Sequence, residues 1–241
     1  MQEQRCCSWG LSGIPCIRPY FFPRRVYGQA HEASVSRDPG VWCLFSGGNE
    51  RAMTDVRHVG KHTQPSQLDI DGFTLRAWCV ADAEPLRAAL AASDAHLRRW
   101  TPWVVDGRVA GQSLEDRLRQ HAADFAAGIE WVYGLFSADG SEVLGGCGLY
   151  PRVGPRAVEL GYWLAAAHTG RGLATRAASA LTRVAFSGPD IDHVEIRCDP
   201  RNDASARVPE RLGYRVDDTA SNTPHGLMIW RLTRAEFDRR Q

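Results

Sequence analysis

Residues 168–175, with the sequence HTGRGLAT, combine two glycines and several small side chains between a strand-like run and a helix-like run. Such a turn at a helix N-terminus leaves backbone N–H groups without intrahelical partners, and these groups bind anions. Gly170 and Gly172 allow a close approach of the backbone, and Arg171 adds a full positive charge. The segment predicts an anion site, although a glycine-rich turn is more often an ordinary connector.

Two glutamates in strand-like runs near this turn are candidates for proton transfer. Glu159 shares a strand face with Gly161 and Trp163, and a neighbouring indole removes part of the solvent around a carboxylate. Glu195 has Arg197 two residues further along on its own face. For both glutamates a structural ion pair with an arginine is the alternative to a role as a base.

Periodicity, caps and turns predict the elements that position these residues. Strands are expected at 73–78, 130–138, 142–150, 157–165, 193–198, 214–216 and 227–232, with Asp139-Gly140 as a hairpin turn. Helices are expected at 83–92 after an Asp82 cap, at 114–127 between Ser113 and Gly128, at 174–186, and between Asn202 and Gly213. His121 and His168 are interpreted as exposed residues without a role. The order β-α-α-β-β-β-α-β-α-β-β joins an antiparallel half to a β-α-β unit.

Composition limits the class of protein. The 241 residues are 44% hydrophobic and 24% charged with a net charge of +1, which gives no nucleic-acid or membrane signature. The seven cysteines are odd in number and lack metal-ligand spacing, so we expect free thiols in a cytoplasmic protein and no metal site. The sequence lacks an apolar run near the roughly 20 residues of a membrane span.

Residues 1–66 differ from the rest of the chain. They contain five prolines and four of the seven cysteines, without a sustained period of 2 or 3.6. We interpret them as a poorly ordered extension or as upstream sequence translated from an early start, with Met53 as the alternative start. A functional arm is the other interpretation, because the segment is rich in aromatic residues. Residues 67–238 are predicted to form the folded domain.

Three motifs in sequence order resemble the GNAT superfamily of acyl-CoA-dependent N-acyltransferases, and within it the RimJ/RimL branch of ribosomal-protein N-terminal acetyltransferases. They are VELGYWL at 158–164, the glycine turn, and NDASAR at 202–207 followed by RLGY at 211–214. The resemblance covers about 68–234, and Thr169 departs from it by standing where Gln or Arg is usual. It implies an α/β (α+β) GNAT fold with a central mixed, mostly antiparallel twisted sheet of about seven strands, flanked by about four helices.

The resemblance implies acetyl-CoA as cosubstrate. The cofactor pyrophosphate is expected on the N–H groups of the glycine turn, and the pantetheine arm beside the end of the preceding strand. Asn202 and Arg207 are also expected to bind the cofactor, because of their positions in the third motif. A role as a helix cap only is the alternative for Asn202. The expected cofactor residues are Leu164, Ala165, Thr169, Gly170, Arg171, Gly172, Leu173, Ala174, Asn202 and Arg207.

Acyl transfer to an amine needs a base for the amine proton and an acid for the departing thiolate. The candidates are Glu159 or its rival Glu195 as base and Ser205 as acid, with a backbone-bonded helix serine as the alternative for Ser205. Many relatives carry a tyrosine acid seven residues after the motif asparagine, where this chain has Pro209. The proline predicts a kink or a short helix and leaves Ser205 or water as the proton source.

The acceptor region implied by the resemblance contains HLRRWTPW at 96–103. Trp100 and Trp103, with Trp163, are expected to wall a pocket for the amine, and a core-filling role is the alternative. The resemblance implies direct acetyl transfer in a ternary complex. We expect the acceptor to be a protein or peptide α-amino group and the protein to be a monomer or homodimer. A small-molecule amine acceptor (antibiotic, polyamine or aminoacyl conjugate) and a non-catalytic acyl-CoA sensor are the alternative functions.

Overall fold

The computed structural model describes residues 64–101, 104–105, 108–109, 113–218 and 226–241. The interpretation of residues 1–66 and of Met53 falls almost entirely outside this part of the chain, and so does Trp103. The division into an extension and a folded domain therefore stays a prediction.

An eight-stranded sheet forms the centre of the described structure. Its strands are β1 (Gln67–Ile70), β2 (Phe73–Ala77), β5 (Trp131–Ser137), β6 (Val143–Tyr150), β7 (Ala157–Leu164), β8 (His193–Cys198), β9 (Arg215–Val216) and β10 (Met228–Thr233), while β3 (Val104–Val105) and β4 (Arg108–Val109) form a separate pair. The order in the sheet is β1-β2-β5-β6-β7-β8-β10-β9. The pair β7–β8 is parallel and the other neighbouring pairs are antiparallel.

Helices cover both faces of this sheet. They are α1 (Ala83–Ala92), α2 (Asp94–Arg98), α3 (Leu114–Ala127), α4 (Leu173–Ser187), α5 (Asp203–Leu212) and α6 (Arg234–Asp238). One core cluster joins the sheet to α4, and a second joins the opposite sheet face to α1 and α3. Within the described residues, no helix has the length and apolarity needed to span a bilayer.

The predicted mixed, mostly antiparallel sheet and the element order are confirmed, with additions at short elements. β1 was not predicted as a strand because four residues give a weak period, and it is an edge strand that pairs with β2. The five-residue helices α2 and α6 were also missed. A capping box between Thr233 and Glu236 begins α6, and this local signal was available in the sequence.

Caps set the ends of the long helices largely as predicted. Ser113 accepts the backbone N–H of Asp116, and Gly128 ends α3 in the left-handed region with φ 70°. Asp82 is the N-cap residue of α1, as expected, but its side chain forms no cap hydrogen bond there. Its two oxygens instead accept hydrogen bonds from Arg76 at 2.8 and 2.7 Å.

The strands β7 and β8 are paired over three residues, from Ala157↔His193 to Glu159↔Glu195. Beyond that point β7 continues to Leu164 and β8 to Cys198 without further pairing between them in the described structure. The two strands therefore part in the middle of the sheet. We call the opening between 160–164 of β7 and 196–198 of β8 the cleft.

Candidate active site

The glycine turn lies at the end of β7 and leads into α4. Gly170 and Gly172 have φ of 73° and 74°, in the left-handed region that favours glycine. Gly172 is the N-cap of α4 and has no side-chain cap, so the first N–H groups of this helix are left for another acceptor. A Cβ added at either glycine would meet nothing within 4 Å, which shows open space around the turn.

Two hydrogen bonds anchor the short turn at 166–168, which precedes the glycines. Ser93, at the junction of α1 and α2, accepts the N–H of Ala166 at 3.0 Å. His168 Nε2 lies 2.9 Å from Glu142 Oε1, next to the β5–β6 hairpin. The expectation that His168 is exposed was wrong, because it is 9% exposed and serves this anchoring contact.

The backbone of β7 presents alternate residues to the cleft. Ala165 donates its N–H to the carbonyl of Leu144 at 2.9 Å, on the β6 side. Since successive residues of a strand direct their N–H and C=O groups to opposite sides, those of Leu160, Tyr162 and Leu164 point away from β6 and toward the cleft. Of the two residues expected beside a pantetheine arm, Leu164 faces the cleft, whereas the N–H of Ala165 is already bonded.

Glu159 and Glu195 stand opposite each other at the last β7–β8 pair, where the cleft begins. Both are almost fully buried, at 4% and 2% exposed. Arg197 contacts both, with Nη2 at 2.8 Å from Glu195 Oε2 and Nε at 3.9 Å from Glu159 Oε2. The two rival bases therefore belong to one charged cluster on the sheet face opposite α4.

The partners of the two glutamates differ. Arg152 forms a bidentate ion pair with Glu159: Arg152 Nε donates to Glu159 Oε2 at 3.0 Å, and Arg152 Nη2 donates to Glu159 Oε1 at 2.7 Å. Glu195 contacts Arg231 at 2.8 Å as well as Arg197 and His193. Burial alone would raise the pKa of Glu195, but the contacts with His193, Arg231 and Arg197 outweigh it and lower the pKa to about 2. A carboxylate with so low a pKa is a weak base near neutral pH.

Two residues of this cluster were missed by the sequence analysis. Arg152 follows β6 and lies over the ring of Tyr150, with 4.5 Å from its guanidinium carbon to the ring centroid. Glu130 precedes β5, and burial raises its pKa while the charge of Arg152 opposes that shift. The sequence carried no signal for either residue, because they join the site through strand pairing rather than through a motif.

Ser205 lies on α5, on the face of the sheet opposite the two glutamates. Val158, Leu160 and Tyr162 of β7 pack in the core cluster with α4, whereas Trp163 packs in the cluster with α1 and α3. Tyr162 Oη contacts Ser205, so Ser205 is on the α4 side and Glu159 is on the other. The candidate base and the candidate acid thus face the cleft from opposite sides of the sheet.

Helix α5 is capped and short, as the sequence predicted. Asn202 Oδ1 accepts the N–H of Ser205 at 3.1 Å, so the cap expected as an alternative for Asn202 is present. Pro209 is buried inside the helix, which ends three residues later at Leu212. Arg207 is exposed on the same helix.

The tryptophans expected at the acceptor site are only partly described. Trp163 is half-buried, and its ring lies over β6 because Gly146 has no side chain: an added Cβ there would be 2.5 Å from Trp163 Nε1. Trp100 is half-buried beneath Arg99, whose guanidinium carbon is 4.6 Å from the ring centroid. The structure gives no contact that brings Trp100 and Trp163 together.

The cysteines of the described strands are buried, as expected for small core residues. Cys198 ends β8 beside the cleft, and burial raises its pKa to about 11. A thiol with this pKa is protonated near neutral pH and is a poor nucleophile. No group of three metal-binding side chains occurs among the residues that the structure describes.

Comparison with known proteins shows the family to which this chain belongs. The model of the acetyltransferase (GNAT) domain family matches residues 73–215, which is more than half of the chain. The chain belongs to the GNAT acetyltransferase family. Its glycine turn, its parted strands β7 and β8, and α5 all lie within the matched GNAT region.

Individual relatives agree with this family. "Probable N-acetyltransferase YjcK" of Bacillus subtilis is 30% identical over 103 residues, which are 42% of this chain and 57% of YjcK. The matches to the curated relatives span about half of the length of those proteins.

Solved GNAT structures resemble the chain over more of its length. RimL, a ribosomal L7/L12 alpha-N-protein acetyltransferase in complex with coenzyme A, has a TM-score of 0.59 at 20% identity, covering 71% of this chain and 98% of RimL. MccE, a microcin C7 self-immunity acetyltransferase in complex with acetyl-CoA and AMP, has a TM-score of 0.60 at 17% identity, with the same coverage. At these identities the likeness shows the fold.

Proposed function

We propose that this protein is an acetyl-CoA-dependent N-acetyltransferase that transfers an acetyl group directly to a primary amine. The observation that carries the proposal is the cleft, which opens at Glu159 and Glu195 and leads along β7 to the uncapped N-terminus of α4. A carboxylate on one side of this cleft and a hydroxyl on the other are the two groups that the reaction needs. Membership of the GNAT family supports the same chemistry.

The cofactor residues fit a pyrophosphate and an amide-bearing arm. The uncapped N–H groups at 172–174 and the helix dipole favour an anion, and the open space at Gly170 and Gly172 lets it approach the backbone. The N–H and C=O groups of Tyr162 and Leu164 that face the cleft can pair with amides, as in an added strand. Thr169, Arg171, Leu173 and Ala174 complete the turn, and Asn202 and Arg207 remain proposals by motif position.

Bound acetyl-CoA supplies an activated thioester as the acyl donor. We assign the role of base to Glu159 rather than Glu195, because Glu195 contacts two arginines and His193 and its pKa is about 2. Arg152 orients Glu159 by bonding to both of its carboxylate oxygens. The amine therefore transfers its proton to Glu159 either directly, once part of this ion pair has opened, or through a water molecule. Ser205, on the opposite face of the sheet, gives its proton to the departing coenzyme A thiolate, and the serine regains a proton from solvent.

The acceptor that we propose is a protein or peptide N-terminus. Support comes from RimL, whose name gives an α-amino group of a ribosomal protein as its target. The half-buried rings of Trp100 and Trp163 are suited to contact a peptide chain, as Trp103 was expected to do from the sequence. A panel of peptides with different N-terminal residues, compared with polyamines and aminoglycosides, tests this choice through release of free coenzyme A thiol.

Paired glycine variants test the cofactor site. Gly172 and Gly140 both have positive φ (74° and 73°) and open space around an added Cβ, but Gly140 lies in the β5–β6 hairpin turn. Alanine at either position costs about 1–2 kcal/mol of backbone strain. At 100 times its dissociation constant, acetyl-CoA stabilises the parent by about 2.7 kcal/mol.

We expect Gly140→Ala to keep the rise in melting temperature caused by acetyl-CoA and Gly172→Ala to lose most of it. Differential scanning calorimetry at several acetyl-CoA concentrations measures both. Equal responses of the two variants would argue against a pyrophosphate at this turn. A parent that melts cooperatively but does not respond to acetyl-CoA would overturn the proposed function.

A further inference from the structure

A hydrogen bond crosses from β7 to the helix that follows β8. Tyr162 lies in the part of β7 that borders the cleft, and its Oη donates to the backbone carbonyl of Ser205 at 2.9 Å. The same Oη lies 3.3 Å from Ser205 Oγ. One phenol therefore touches both the backbone and the side chain of the residue that is the candidate acid.

Pro209 explains why the Ser205 carbonyl is available to this phenol. In an α-helix the carbonyl of residue 205 would accept the N–H of residue 209, four positions later. Proline has no N–H, and Pro209 lies inside α5 with the helix continuing past it. The Tyr162 hydroxyl donates to the very carbonyl that loses its usual helical partner.

This contact also limits how Ser205 can orient its hydroxyl. The phenol donates to the carbonyl, and its oxygen lies 3.3 Å from Ser205 Oγ, so Tyr162 restricts the positions that this hydroxyl can take. The cap from Asn202 to the Ser205 N–H fixes the same residue from the other side. Ser205 is thus held through its N–H, its C=O and its Oγ at the edge of the cleft.

We propose that Tyr162 is a positioning residue, which holds the first turn of α5 and the Ser205 hydroxyl at the cleft in place of the helix bond that Pro209 removes. The inference rests on the proposed function, because it concerns the proton donor of that reaction. It makes Tyr162 and Pro209 a coupled pair, so that the effect of changing one depends on the other.

A double-mutant cycle of Tyr162→Phe and Pro209→Ala tests the coupling. With Pro209 present, Tyr162→Phe removes the donor to the Ser205 carbonyl, and we expect kcat to fall about tenfold, the size of one lost hydrogen bond, with KM for acetyl-CoA changed less than about threefold. With Pro209→Ala, a backbone N–H can serve that carbonyl, and Tyr162→Phe should cost less than about threefold in kcat.

Tyr133→Phe is the matched control, since Tyr133 Oη also donates to a backbone carbonyl, that of Pro65, at 2.9 Å. This bond lies away from the cleft, so we expect kcat to remain within about twofold of the parent. Equal losses from Tyr162→Phe in both backgrounds, or a loss of kcat as large in Tyr133→Phe, would overturn the inference while an active parent still upholds the proposed function. A parent without turnover on any amine would overturn the proposed function itself.

Discussion

At the scale of single residues, the two buried glutamates are distinguished by their partners. Arg152 holds Glu159 through both oxygens, whereas Glu195 contacts Arg197, Arg231 and His193. From the sequence an ion pair was an open alternative for both glutamates, and the structure shows one for each. Arg197 also lies 3.9 Å from Glu159, so the number of arginines does not separate the two carboxylates. What separates them is the set of close contacts around Glu195, which lowers its pKa to about 2 and leaves it as a group that mainly supports the site.

Glu159→Gln and Glu195→Gln are expected to differ in activity. Loss of a general base lowers kcat by about 10²–10⁴-fold, so Glu159→Gln should reduce kcat within that range. Glu195→Gln should reduce kcat less, since its role is to neutralise neighbouring arginines. Steady-state kinetics with saturating acetyl-CoA measures both, and a larger loss in Glu195→Gln would exchange the two assignments.

Glu195 also predicts a pH dependence of stability. Its folded pKa of about 2 lies below its unfolded value, so its stabilising contribution is complete above pH 4.5 and is lost as the pH falls toward 2. The full contribution is on the order of 3 kcal/mol. Urea unfolding at pH 5, 4 and 3 should show a steeper loss of unfolding free energy in the parent than in Glu195→Gln, and parallel curves would contradict this.

At the scale of elements, the parting of β7 and β8 creates the site. Pairing stops at Glu159↔Glu195, although both strands continue beyond it. On the other side of β7, the pairs from Gly145↔Leu164 to Tyr150↔Glu159 keep the strand in place. β7 therefore has one edge fixed in the sheet and one edge presented to the cleft over 160–164.

Hydrogen exchange of β7 tests this description. The amides of Leu160, Tyr162 and Leu164 point toward the cleft, so bound acetyl-CoA should slow exchange at one or more of them. The amide of Ala165 is already bonded to Leu144 and should change little. Exchange measured by NMR with and without acetyl-CoA provides the comparison, and protection confined to β8 and β10 would contradict an added strand on β7.

At the scale of the whole molecule, a buried histidine links global stability to pH. His121 of α3 was expected to be exposed, and this was wrong, because it is 6% exposed. Burial, and then the charge of Arg117, lower its pKa to about 4. The helix face therefore includes a neutral imidazole, and protonation of His121 opposes folding.

The sign of this effect follows from linkage. Because the folded pKa is depressed below the unfolded value near 6.5, stability from His121 is fully present above pH 6.5 and is lost as the pH falls toward 4. The contribution is about 3 kcal/mol. Chemical unfolding at pH 7, 6, 5 and 4 should show a smaller decline in His121→Gln than in the parent. The variant His96→Gln, at an exposed position of α2, serves as control and should follow the parent.

Most of the helices and strands could be predicted from local patterns in the amino-acid sequence. Periodicity and caps predicted α1, α3, α4 and α5 within one residue at nearly every end, because helix signals such as Ser113, Gly128 and Asn202 act within a few residues. The glycine turn was also readable, since positive φ at Gly170 and Gly172 is a local property. The short strand β1 and the short helices α2 and α6 were not predicted, because four or five residues are too few to show a clear period.

Contacts between residues far apart in the sequence became visible only in the folded chain. The parallel pairing of β7 with β8 places Glu195 beside Glu159, and the turn after β6 brings Arg152 onto the same carboxylate. The contact of Tyr162 with Ser205 joins residues 43 positions apart across the cleft. Such contacts depend on strand order and helix packing, and these depend on the whole core. The local sequence around Arg152, His121 or Tyr162 therefore does not predict them.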